Sequence, residues 1–215
     1  MYGKAAVLVW VLGLISAELL GIGSAYMART FGVGEVFSGG VADIVTVSAR
    51  LLFLAYVARA TSVNFSNVIY KPLPSRSSQL ILLAALVAVV GLLDYFITAY
   101  GSSRPYEPQL MGYEYYAERG AIWCFPFRVA YYLSEVVVVM NYMYVLAKKA
   151  WKLFNRPAAA GVAFLILAWA LPHVFTKNVF VAAYAAILAT ILYVGYEFTG
   201  SPLTPIILWF AVLLV

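Results

Sequence analysis

The chain has 215 residues, of which 65% are hydrophobic and 11% charged, against a charged share of roughly a quarter in soluble domains. So few charges cannot cover a water-facing surface, which excludes a soluble globular protein and argues for a single integral membrane domain over residues 1–215. The net charge of +5 falls in loops between apolar stretches rather than on one basic face, so it points to membrane topology and away from a nucleic-acid partner.

About 20 apolar residues span a hydrocarbon core. On that measure the sequence predicts an all-α polytopic bundle of about seven transmembrane helices, near 5–27, 41–59, 79–99, 122–146, 158–174, 179–198 and 202–215. The first is longer than the roughly 7–15 apolar residues of a signal peptide and carries Glu18, which predicts a retained helix. Between the second and third, the Pro/Ser stretch from Lys71 to Ser78 reads as a loop. Between the third and fourth, Gly112-Tyr113-Glu114-Tyr115-Tyr116 reads as an interfacial aromatic belt.

Lys4, Arg59, Lys71, Arg76, Lys148, Lys149, Lys152 and Arg156 gather on one side under this count. Arg29, Arg104, Arg119 and Lys177 lie opposite, among Glu35, Glu107, Glu114 and Glu118. The positive-inside rule then predicts a cytoplasmic N-terminus in the cell membrane, with membrane lipid as the surrounding partner. The single cysteine, Cys124, excludes a disulfide within the chain. One histidine and no clustered carboxylates predict no bound metal and no cofactor.

Glu18, Asp43, Arg50, Asp94, Arg128, Glu135 and His173 all fall inside the predicted spans. An uncompensated charge at a helix centre costs at least ~2.5–3.5 kcal/mol on insertion scales, so these side chains are expected to face the bundle interior. Asp43 and Arg50 are seven apart on the second helix, as are Arg128 and Glu135 on the fourth. That spacing is two turns on one face. Asp43 and Arg50 are thus candidate partners, and structural ion pairing accounts for most of these groups. Glu135 and His173 are the two best able to exchange protons near neutral pH.

The C-terminal half carries more specific patterns. The stretch Leu167-Ala168-Trp169-Ala170-Leu171-Pro172-His173 is followed by an apolar helix and then by Thr199-Gly200-Ser201-Pro202-Leu203-Thr204-Pro205-Ile206-Ile207-Leu208. Over roughly 122–215 this resembles the CAAX protease and bacteriocin-processing family of intramembrane proteases. In that family an aromatic-xxx-His motif ends one helix, and a turn resembling Thr-Gly-Ser leads into a helix bearing His-xxx-Asn. Trp169 takes the aromatic position, and Glu135, 38 residues before His173, takes that of the upstream glutamate motif Glu-Glu-xxx-Arg.

The resemblance implies an endopeptidase in which Glu135 activates water and His173 assists, acting on a membrane-anchored protein or peptide. Ser134 replaces the first glutamate of the family's pair, Val139 or Met140 takes the arginine position, and Trp209 and Leu213 take those of the second histidine and the asparagine. The usual oxyanion donors, worth ~2.7–4 kcal/mol each in acyl transfer, are therefore absent, and Arg128 is the candidate replacement for the arginine. Two further readings stand beside the peptidase. One is a catalytically silent relative acting as a membrane scaffold or partner-binding subunit. The other is a proton-coupled transporter or channel using Asp43, Asp94, Glu135 and His173 as a relay.

Overall fold

Backbone groups in hydrocarbon find no water, so a chain this apolar must satisfy them within helices or a closed barrel. A computed structural model gives the fold. It describes residues 2–61, 77–99, 113–151, 155–176 and 179–214, and the side chains of 2–3, 61, 94–99, 141–143, 176 and 212–214 lie outside the described set. Every secondary-structure element among the described residues is helical.

Helix α1 (Tyr2–Thr30) and α2 (Glu35–Thr61) form a hairpin, followed by α3 (Ser77–Ala99) and the short α4 (Tyr113–Ala117). A 3₁₀ turn (Ile122–Cys124) opens the next span, which continues as α5 (Phe125–Ser134), a π-helical segment (Glu135–Tyr142) and α6 (Met143–Ala150). The span after it is α7 (Pro157–Leu165), a second π segment (Ile166–Ala170) and α8 (His173–Thr176). Helices α9 (Val179–Thr199) and α10 (Leu203–Leu214) complete the bundle.

Among the described residues, five stretches are long and apolar enough to cross a membrane: Lys4–Thr30, Glu35–Ala60, Ile122–Ala150, Pro157–Phe175 and Val179–Thr199. Helices α3 and α10 occupy the other two expected places. With 12 residues, α10 reaches about 18 Å, short of the roughly 30 Å hydrocarbon core. Large apolar side chains point outward along the long helices, including Leu8, Leu12, Ile15 and Leu19 on α1, Leu52 on α2 and Phe180 on α9. Such a surface is stable against lipid rather than water.

Small residues draw α1 and α2 together. Gly13, Ala17 and Gly21 recur every fourth residue, the spacing that lets helix backbones approach closely in lipid. A Cβ on Gly21 would stand 2.0 Å from Thr46 Oγ1 and 3.1 Å from the Ala42 carbonyl oxygen. Gly21→Leu is therefore expected to destabilise the protein by about 1–3 kcal/mol through overpacking, as read by reversible unfolding in detergent. An unchanged midpoint would mean that the hairpin is not packed on this seam.

The Thr-Gly-Ser turn has a local cause. Gly200 ends α9 in the left-handed region at φ +67, where glycine carries no Cβ penalty, and its N–H bonds the Tyr196 carbonyl at 2.8 Å. Ser201 Oγ then accepts from Leu203 N at 3.3 Å at the start of α10. A π segment leaves backbone groups out of the regular α ladder, and here the Tyr193 hydroxyl of α9 donates to the Met140 carbonyl.

At the end of the bundle holding the N-terminus, Lys148 pairs with Glu197 and Gln79 Nε2 donates to the Phe198 carbonyl at 3.1 Å. At the opposite end Arg29 pairs with Glu35 at 3.3 Å and donates from Nε to Ser38 Oγ at 3.0 Å. The aromatic stretch expected as a belt is in part the helix α4. Its Tyr116 is buried against Ala121, Cys124 and Phe125, because the turn at Gly120, at φ +61, folds α4 back onto the start of the next span. Burial raises the Tyr116 phenol above its ordinary range, against the opposing pull of Arg128.

Candidate functional site

Four of the expected inward charges form two pairs, crosswise between helices. Arg50, only 2% exposed, donates from Nε to Glu18 Oε1 of α1 at 3.1 Å. Its Nη1 reaches α5, at the Tyr131 carbonyl (3.0 Å) and Ser134 Oγ (2.9 Å). Asp43 faces Arg128 of α5, Oδ2 to Nε 3.0 Å. Asp43 and Arg50 are thus not mutual partners. They share a face of α2, but α1 and α5 reach that face at different heights.

Arg128 is accordingly engaged with Asp43, and the guanidinium beside the Ser134-Glu135 pair belongs to Arg50. The Tyr131 ring lies between the two arginines, its centroid 4.4 Å from Arg50 Cζ and 5.4 Å from Arg128 Cζ. The Tyr131 hydroxyl donates to Glu18 Oε2 at 3.2 Å. Double-mutant cycles should give coupling of about 0.5–3 kcal/mol for Glu18 with Arg50 and for Asp43 with Arg128. The Asp43–Arg50 cycle should fall below both, and a larger value there would contradict the crosswise pairing.

These groups line a cleft of about 180 Å³ between α1, α2 and α5, bounded by Glu18, Gly21, Ile22, Gly39, Ala42, Asp43, Thr46, Arg128 and Tyr131. The sequence marked Glu18, Asp43 and Arg128 as inward-facing but not the cleft that they share. No single helix carries its signature, because its lining is divided among three helices, with two to four residues from each.

Glu135 and His173 meet through Trp169. Glu135 opens the first π segment and is 7% exposed, and its Oε1 accepts from Trp169 Nε1 of the second π segment at 2.6 Å. His173 Nδ1 lies 2.8 Å from the Trp169 carbonyl oxygen. A carbonyl only accepts, so the hydrogen-bond pattern assigns the proton to Nδ1 and leaves the lone pair of the neutral ring on Nε2. The His173 ring stands edge-on to Trp169, centroids 5.3 Å apart.

Trp209, at the position expected for a second histidine, packs edge-to-face on the same indole at 5.3 Å. Its Nε1 is buried with no hydrogen-bond acceptor among the described residues. Both π segments therefore border this contact, and π turns recur at functional sites. The side chains of Asp94 and Leu213 lie outside the described residues.

A continuous polar file results: Glu18 to Arg50, Arg50 to Ser134, and from the adjoining Glu135 through Trp169 to His173. Sequence reasoning missed Glu197, which accepts from the Tyr144 hydroxyl and pairs with Lys148. Its position at the end of an antiparallel span facing Lys148 was the available signal. Among the described residues no three His, Cys, Asp or Glu side chains converge as metal ligands.

Fold and site together define an all-helical membrane protein with a buried charge network. No family model, curated protein or solved structure matches the chain.

Proposed function

We propose that the chain is an intramembrane endopeptidase of the glutamate type, a divergent relative of the CAAX protease and bacteriocin-processing family. The convergence of Glu135 and His173 on Trp169, from two separate spans, carries this reading. Glu135 takes a proton from water as the new C–O bond forms at a peptide carbonyl, then delivers it to the amine nitrogen as the C–N bond breaks. His173 Nε2 accepts a hydrogen bond from the attacking water. The unpartnered Trp209 N–H is a donor of the type that a developing oxyanion needs. Arg50 is a positioning residue, holding Ser134 and hence the backbone at Glu135.

Because Glu135 lies within a span, the substrate is a membrane-anchored protein or peptide cut near its membrane end. A second reading is favoured by the burial of Glu135 against the Trp169 indole: a catalytically silent member that holds a membrane partner. Cleavage of membrane-proximal peptides by the purified protein, lost on blocking Glu135, supports the first reading. A wild type that cleaves none of them supports the second.

The Lys/Arg asymmetry supports a cytoplasmic N-terminus in the cell membrane. In a background lacking Cys124, cysteines at Glu35 and Glu118 should be labelled from outside the cell and one at Lys149 only after permeabilisation. Labelling of all three from one side would overturn this topology.

A further inference from the structure

We infer that the cleft between α1, α2 and α5 binds a zwitterionic group, an ammonium and an anionic group carried on one small molecule. This inference concerns a different site from Glu135 and does not depend on peptidase activity.

Glu18, Asp43 and Arg128 line the cleft, and Arg50, buried behind the wall, pairs with Glu18, so the two acids and two bases of the two ion pairs sum to zero charge. A guest with net charge would leave an uncompensated charge in a low-dielectric site, whereas a zwitterion adds none. The charges are also unequally reachable. The Arg50 and Asp43 side chains are 2% and 5% exposed, while Glu18 is 42% and Arg128 18% exposed. A guest therefore meets one carboxylate and one guanidinium.

Each of these has capacity left. Arg128 turns its buried Nε to Asp43 and its Nη2 to the side of the cleft lined by Gly39, 3.8 Å from where a Cβ on that residue would stand. A carboxylate or phosphate oxygen would complete that donor set. The Glu18 oxygens accept from Arg50 and Tyr131, and a carboxylate offers about four lone-pair sites, so acceptor capacity remains for an ammonium.

The volume of about 180 Å³ equals roughly six waters at ~30 Å³ each, the size of a small amino acid. Ile22, 56% exposed, gives the rim an apolar side open toward lipid. The same chemistry can thus arrive as a free amino acid or as a phosphatidylethanolamine headgroup.

The test uses the full chain in detergent, with L-leucine as probe and calorimetric titration as readout. Two controls each lack one charge: 4-methylpentanoate has no ammonium and isoamylamine no carboxylate. Leucine should bind saturably, with each control roughly tenfold weaker or more, as for loss of a charged hydrogen bond.

Gly39→Leu should abolish binding by filling the cleft. A Cβ there meets nothing nearer than Arg128 Nη2 at 3.8 Å, so the backbone is not crowded, and circular dichroism verifies the fold. In phosphatidylglycerol nanodiscs, added phosphatidylethanolamine that raises the unfolding temperature of wild type but not of Gly39→Leu, with leucine silent, identifies the headgroup as the source. Silence of both probes, equal binding of a singly charged control, or unaltered binding by folded Gly39→Leu overturns the inference.

Discussion

Arg50→Leu is expected to destabilise the folded bundle by about 1–3 kcal/mol, the usual cost of leaving buried hydrogen-bond partners unsatisfied. The guanidinium is 2% exposed and donates to Glu18, to the Tyr131 carbonyl and to Ser134 Oγ. Leucine fills part of the volume but leaves Glu18 without its countercharge and strips a donor from each of the other two acceptors. Arg50→Lys retains the charge and loses the planar fork that reaches α1 and α5 together, so an intermediate loss is expected. Glu18→Gln combined with Arg50→Met should recover part of the loss, because no charge then stays unpaired. Reversible unfolding in detergent measures all four proteins, and a loss below about 1 kcal/mol for Arg50→Leu would show that the pair is solvated in the native state.

Glu135→Gln is expected to lower peptide cleavage by about 10²–10⁴-fold, the range attributed to a positioned general base. The amide is nearly isosteric, and its carbonyl oxygen can still accept from Trp169 Nε1, so the contact between the two π segments survives. His173→Ala should then add little to Glu135→Gln, since members of one catalytic unit do not contribute additively. Initial rates on a membrane-proximal peptide, for wild type, both single variants and the double, decide the matter. Cleavage by Glu135→Gln at the wild-type rate would remove Glu135 from the reaction, and full additivity of the two losses would separate Glu135 from His173.

The spans were legible because hydropathy is a one-dimensional signal. The stretch expected at 179–198 is α9, Val179–Thr199, and that expected at 79–99 is α3, Ser77–Ala99. The inward direction of Glu18, Asp43, Arg50 and Glu135 also followed from sequence, since lipid exposure of so many charges has no stable solution. Pairing did not follow. A spacing of seven places Asp43 and Arg50 on one face of α2, yet which helix meets each depends on packing angles that no local pattern encodes. The π segments were equally hidden. Val136 to Val139 is as apolar as any α-helical run, and the wide turns are accommodated by distant groups such as the Tyr193 hydroxyl at the Met140 carbonyl.

The hairpin of α1 and α2 bears on how the protein is made. Residues 18 and 50 lie on consecutive helices, so Glu18 and Arg50 can neutralise one another once that hairpin has left the ribosome. It can then partition into the bilayer as a unit, without either charge facing lipid alone. Asp43 has no such companion within the hairpin, because Arg128 is synthesised 85 residues later. The countercharge of that carboxylate thus comes from a later span, and the Asp43–Arg128 pair ties Ile122–Ala150 to the hairpin.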